Sequence, residues 1–237
     1  MTHGLRRLAV GTLLVASLQV VPAEAETACD PKALRLATTP LATTFSFVAQ
    51  DNVAVLATMP AAADVVAVGD SITRRWPAES LEKAFPGGGV FNYGMEGDRT
   101  QNILHRLSAP RLSRLQPRTV VLLIGTNNLA DGHPACAIAG GIRAVVARID
   151  ALWAKPTLRI VEVLPRGERF DAYEADRRSV NAAIRELMSE RGGGSVVTVD
   201  EPITCGHRPD CPNYDPDHVH LSAGGYDVLQ NALAPMR

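Results

Sequence analysis

Short, almost wholly aliphatic runs alternate along this chain with longer amphipathic ones, and that alternation limits the folds open to it. The aliphatic runs are Asp64 to Val68, Val90 to Tyr93, Thr119 to Ile124, Leu158 to Leu164 and Ser195 to Val199. Gly69 and Pro165 end two of them, and the glycine triplets 87–89 and 192–194 precede two others. None shows the in–out alternation of a half-solvated strand, so each predicts a strand covered on both faces. Between them, Thr100–Leu107, Ala135–Trp153 and Glu174–Arg191 carry apolar residues at helical spacing, as Ile138, Ile142, Val145 and Ile149 do. A last helix is expected from Ser222, a suitable N-cap, to Leu233. This pattern predicts one three-layer, doubly wound α/β domain on a parallel five-stranded sheet. No repeat or linker divides it. Hydrophobic residues make up 46% of the chain but aromatics only 5%, so aliphatic side chains must fill the core. A formal charge of −1 gives no general grip on nucleic acid, and no nucleic-acid partner is expected.

The first residues are expected to stand outside this domain. Arg6 and Arg7 precede an apolar run from Leu8 to Val21, too short to anchor in a bilayer but suited to a signal-peptide core. Pro22 breaks the run, and Ala23-Glu24-Ala25 supplies a small-residue cleavage site. Residues 1–25 are therefore read as a signal peptide, 26–44 as a lead-in and 45–237 as the domain. No later run is long enough to span a membrane, so a periplasmic or secreted protein is expected. The mature chain keeps Cys29, Cys136, Cys205 and Cys211, an even number that suits disulfides in an oxidising compartment. Three pairings are open. Cys205 with Cys211 is favoured, which leaves Cys29 with Cys136. A metal site from Cys205, His207 and Cys211 is the rival, but the spacing matches no common zinc knuckle. No metal or other cofactor is expected.

In a doubly wound sheet, ligands meet the carboxyl ends of the strands. Gly69-Asp70-Ser71-Ile72-Thr73 follows the first strand and places a hydroxyl at the turn into a helix. Asn92 to Thr100 follows the second, and Gly97 there lets a backbone N–H approach a ligand. Gly125-Thr126-Asn127-Asn128 follows the third, with an amide able to donate to a developing oxyanion. Asp217 and His220 lie three residues apart before the last helix, a spacing that lets a carboxylate orient an imidazole. Asp215 and His218 are nearby decoys. Each element alone reads equally well as a cap, a loop glycine, an Asx turn or a polar loop. Their order and their shared place at element boundaries make the set specific.

Taken together, these blocks resemble the SGNH, or GDSL-type, hydrolases, over about Phe45 to Leu233. Within that family the chain is most similar to the platelet-activating-factor acetylhydrolase catalytic subunits and their bacterial relatives. Gly97-Asp98-Arg99-Thr100, Gly125-Thr126-Asn127-Asn128, Leu164-Pro165-Arg166-Gly167 and His220 to Tyr226 carry the closer match. The resemblance implies a flavodoxin-like fold and a serine esterase with Ser71 as nucleophile, His220 as general base and Asp217 as its orienting carboxylate. It implies an oxyanion hole from the N–H groups of Ser71 and Gly97 and the amide of Asn127. Asp70, Trp76, Arg99, Asn128 and Pro165 are expected to line the substrate. Glu96 and His105 depart from the family pattern, which often has glycine and tryptophan there. The expected substrate is a small, acetyl-type ester, free or on a glycan. The alternatives are a lipid acylhydrolase, a flavodoxin-like binding module or a degenerate, non-catalytic hydrolase. No Gly-x-Ser-x-Gly elbow or P-loop is present. Trp76, Tyr93 and Tyr214 are the aromatic residues near the candidate loops.

Overall fold

The computed structural model describes Met1 and residues 29–234, so the leader expected over residues 1–25 lies, beyond Met1, outside the described residues. Five strands form one all-parallel sheet in the order β2-β1-β3-β4-β5. They are β1 (Val65–Gly69), β2 (Val90–Gly94), β3 (Thr119–Leu123), β4 (Thr157–Val161) and β5 (Gly194–Val197). The fourth ends earlier than its aliphatic run suggests. Asn181 takes over Val163 there, accepting from its N–H at 2.8 Å and donating to its carbonyl at 3.1 Å, so the chain leaves the sheet.

Strand periodicity sorts the aliphatic residues into two cores. Val66, Val68, Val120, Leu122, Leu158 and Ile160 face one layer, and Val65, Ala67, Val121, Leu123, Val161 and Val197 face the other. Helices α5 (Thr100–Arg106), α7 (Ala135–Leu152) and α8 (Glu174–Arg191) cover the first face. Helices α4 (Ala78–Ala84) and α10 (Ala223–Leu233) cover the second. The short helices α3 (Ser71–Arg74), α6 (Thr126–Ala130) and α9 (Asp200–Ile203) each begin within a few residues of a strand end.

Two further helices lie ahead of the first strand, where the sequence pattern gave no helical signal: α1 (Pro31–Thr38) and α2 (Ser46–Ala57). Asp30 caps α1 by accepting from the N–H groups of Lys32 and Ala33. The Thr100 hydroxyl donates to the Ala37 carbonyl at 2.9 Å, so α1, within the segment read as a lead-in, packs on the domain. Asp51 of α2 pairs with Arg74 of α3, and Asn52 accepts from the Tyr93 hydroxyl. Among the described residues no helix is long and apolar enough to cross a membrane.

All four cysteines are paired, Cys29 with Cys136 and Cys205 with Cys211. The first bond closes a loop with a sequence separation of 107 and ties the start of α1 to α7; the second closes a separation of only 6. Loop entropy grows with loop length, so Cys29→Ser/Cys136→Ser is expected to lower unfolding stability by roughly 4–5 kcal/mol and Cys205→Ser/Cys211→Ser by roughly 2. Denaturant midpoints of the two double mutants check the order.

Candidate active site

Ser71 is the first residue of α3, set by a tight approach of that helix to the strand ends. A Cβ at Gly69 would lie 2.0 Å from the Thr73 hydroxyl, and one at Gly94 would lie 2.3 Å from the Arg74 amide nitrogen. Only glycine at both positions lets α3 seat directly on β1 and β2. Asp70 caps the helix by accepting from the Ile72 N–H at 3.0 Å. From the other side, the Tyr226 hydroxyl of α10 donates to the Ile72 carbonyl at 2.8 Å. Ser71 is 4% exposed and its position is held from both sides.

The Ser71 hydroxyl lies 2.9 Å from His220 Nε2, across 149 residues of chain. His220 Nδ1 lies 2.5 Å from Asp217 Oδ2. The other Asp217 oxygen accepts from the backbone N–H groups of Val219 and His220, each at 2.9 Å. Burial pushes the Asp217 carboxyl up, but the His220 ring and these two amides outweigh it and hold the group at about 2. Asp217 is therefore ionised throughout the neutral range and fixes which imidazole nitrogen faces the serine. The decoys serve through their backbone. The Gly167 N–H donates to the His218 carbonyl, and the Asp215 N–H to the His220 carbonyl. The Cys205–Cys211 bond staples the segment that delivers this loop, and the Asn213 carbonyl there accepts from the Ser222 N–H at 3.1 Å.

Gly97 takes a left-handed backbone conformation with φ of 67°. Among the described residues, the N–H groups of Ser71 and Gly97 donate to no protein acceptor. The Asn127 amide donates one hydrogen to the Asp98 carbonyl at 2.9 Å, which fixes its plane and leaves the second hydrogen free. Asp98 is held by a feature the sequence reading missed. Arg106 is buried and donates from Nε to Asp98 at 2.6 Å, from Nη1 to the Tyr93 carbonyl at 3.1 Å and from Nη2 to the Gly69 carbonyl at 3.3 Å. Its guanidinium also lies 4.3 Å from the Tyr93 ring centroid. An Asp and an Arg eight residues apart carry no motif signal.

Three of the residues expected to line the substrate are buried and contacted by the protein itself. Trp76 is 3% exposed, donates to Ser80 and packs on Tyr226. Asn128 is fully buried, accepting from the Thr100 N–H and donating to Gln101. Pro165 is buried, and its carbonyl accepts from the Tyr214 hydroxyl at 2.7 Å. Each fills space or satisfies a buried polar group. Arg99 is half-buried, pairs with Asp131 and donates to the Gly97 carbonyl at 2.8 Å. Glu96 does not present a bare charge beside Gly97, because Arg75 binds it through two bonds of 2.9 Å. His105 is exposed on α5.

Asp70 is fully buried, and its Oδ2 has no hydrogen-bond partner among the described residues. Burial pushes its carboxyl up, the Ile72 N–H pulls it down, Asp98 and Glu96 raise it further, and the result is about 7. A carboxyl raised on folding from 3.8 to about 7 favours the folded state most below about pH 4, and that contribution is lost as pH rises through about 7. Asp70→Asn keeps an acceptor for the Ile72 N–H and removes the buried acid. As pH is raised from about 5 to about 8, the melting temperature of the wild type is expected to fall more than that of the variant.

Comparison with known proteins places this arrangement. A model of the GDSL-like Lipase/Acylhydrolase family matches residues 67–228, well over half of the chain. The human platelet-activating factor acetylhydrolase IB subunit alpha1 is 29% identical over 171 residues, covering 72% of this chain and 73% of the relative. The bovine alpha2 subunit is 29% identical over 181 residues, with 72% and 74% covered. Among solved structures, a GDSL-like lipase from Bacteroides thetaiotaomicron superposes with a TM-score of 0.59 at 23% identity, over 80% of this chain and 95% of that one. A variant of an acetyl-xylooligosaccharide esterase from Geobacillus superposes with a TM-score of 0.56 at 18% identity, over 71% and 90%. The structural likenesses carry the fold, the family match carries the membership, and the chain belongs to the GDSL-like lipase/acylhydrolase family.

Proposed function

We propose that this chain is an exported serine esterase that removes small acyl groups, acetyl foremost, from O-acylated glycans or small esters. The observation that carries the reading is the continuous relay Ser71–His220–Asp217, with contacts of 2.9 and 2.5 Å. Ser71 Oγ attacks the ester carbonyl while His220 Nε2 takes its proton. The tetrahedral oxyanion is received by the N–H groups of Ser71 and Gly97 and the free Asn127 amide hydrogen. Collapse breaks the bond to the leaving oxygen, which takes the proton from His220 and departs as an alcohol. Water then repeats the sequence on the acyl-enzyme, releasing the carboxylic acid and freeing the serine. No cofactor enters these steps. Acetyl is favoured because the platelet-activating factor relatives are named acetylhydrolases and a structural neighbour is an acetyl-xylooligosaccharide esterase. Export is supported by the leader-like first 25 residues and by two disulfides, which suit an oxidising compartment.

A second reading, as a lipid acylhydrolase, draws on one observation. Leu36, Leu41, Phe45, Phe47 and Val53 are all exposed in α1, α2 and the segment between them, and the Phe45 and Phe47 ring centroids are 5.9 Å apart. Hydrolysis rates on acetyl against long-chain nitrophenyl esters, and on acetyl-xylan against phospholipid, separate the two. Faster turnover of the long-chain and phospholipid substrates selects the second reading.

Ser71→Ala is expected to abolish both hydrolysis and covalent labelling by an organophosphonate ester; labelling that persists elsewhere on the chain refutes the assignment. Asn127→Ala is expected to lower kcat by roughly 10²–10³-fold with the fold intact. Asp217 stays ionised down to about 2, so its orienting charge is present across the neutral range, and Asp217→Asn is expected to lower kcat by roughly 10⁴-fold. An unchanged kcat in that variant would contradict the orienting role.

A further inference from the structure

We propose that Tyr173, backed by Arg166, forms a leaving-group subsite that seats the sugar ring bearing the ester. The proposal rests on the esterase reading above and adds the acceptor side of the substrate. Trp76, Tyr93 and Tyr214, the aromatic residues that the sequence places near the candidate loops, are all buried. Of the Phe, Tyr and Trp side chains in the described residues, only Phe45, Phe47 and Tyr173 are exposed, and Tyr173 alone lies outside the N-terminal segment 31–57. Tyr173 is 45% exposed and ends the loop that follows β4.

That loop is bonded to the site on two sides. Arg166 Nη1 donates to the carbonyl and hydroxyl of Thr126, the neighbour of Asn127, at 3.1 and 3.0 Å. The Gly167 N–H donates to the His218 carbonyl at 2.9 Å, two residues before His220. Phe170 anchors the loop in the core against Tyr214, with ring centroids 5.0 Å apart. The Arg166 guanidinium sits over the Tyr173 ring at 5.7 Å, and among the described residues its Nε and Nη2 bond to no acceptor. The backbone at Tyr173 is left-handed, with φ of 59°. A non-glycine residue in that region is uncommon and clusters at ligand-binding places.

The chemistry of the loop selects the ligand. An exposed ring offers a flat apolar face, and the neighbouring guanidinium offers unused N–H donors. The solvent side carries Glu168, Arg169 and Asp171, all exposed. A flat apolar face within a charged rim matches a pyranose, which presents C–H groups on its faces and hydroxyls around its edge. An acyl chain would need a continuous apolar path, and this rim breaks it.

The test compares wild type, Tyr173→Asn and Tyr173→Phe on acetylated xylooligosaccharide and on ethyl acetate, whose leaving group carries no ring. Asparagine tolerates the left-handed backbone and removes the ring. Tyr173→Asn is expected to lose roughly three- to ten-fold in kcat/KM on the acetylated sugar through KM, with ethyl acetate unchanged. Tyr173→Phe is expected to keep wild-type values on both. Equal loss on both substrates, or no loss on the sugar, overturns the subsite. Wild type that hydrolyses neither ester overturns the esterase reading itself. As a measurement free of variants, saturation transfer from the wild-type protein to the C–H protons of xylotriose is expected, and its absence overturns the subsite.

Discussion

A buried guanidinium holds the centre of this molecule together. Arg106 reaches from α5 to the last carbonyl of β1, to a carbonyl near the end of β2 and to the Asp98 carboxylate, with the Tyr93 ring against its face. Taking a charge out of water is costly, and for the guanidinium two carbonyls, a carboxylate oxygen and a ring face offset that cost, while Asp98 Oδ1 has no hydrogen-bond partner among the described residues. Removing one partner of such a pair typically costs about 3–5 kcal/mol. The consequence reaches the site through the backbone. Asp98 is the residue after Gly97, and its carbonyl orients the Asn127 amide. One buried charge thus fixes the spacing between the turn that carries Ser71 and the two loops that supply the other proposed donors.

The site is built in two layers. In front are Ser71, His220, the N–H of Gly97 and one hydrogen of Asn127. Behind them are buried groups held by the protein itself: Asn128 on Thr100 and Gln101, Pro165 under Tyr214, Trp76 against Tyr226, and Asp70, which caps α3 through one oxygen while its other has no partner among the described residues. The rear layer explains how short loops keep a fixed geometry. Buried polar groups that are fully bonded have few alternative positions, so the front groups inherit that rigidity. Glu96 follows the same logic at the surface, because its pair with Arg75 turns an awkward charge near the donor loop into a clamp between α3 and that loop.

The strands were legible because a buried parallel strand needs aliphatic residues on both faces, and Val65–Gly69 and Thr119–Leu123 read that way directly. Helices α7 and α8 were legible from their apolar stripes. Helix α2 was not, because it is apolar nearly all round and shows no stripe. Helix α1 is only eight residues long, and its docking depends on Cys136 and Thr100, far away in sequence. The blocks around Ser71, Gly97, Asn127 and His220 were legible because each follows a strand or precedes a helix. The roles of Trp76, Asn128 and Pro165 were not, because the order of residues along a chain does not say which side of a loop faces solvent.

The sequence alone determined the layering, the strand-end placement of the polar blocks and the identity of the groups with the right chemistry. These follow from local periodicity and from the few residue types that tolerate tight turns. Only the tertiary structure decided that Ser71 and His220 meet, that Arg106 is the buried tie between strands, and that Tyr173, at the end of the loop after β4, is left open to solvent. Each of those facts depends on a contact or an exposure created when distant segments pack, and no local pattern encodes it.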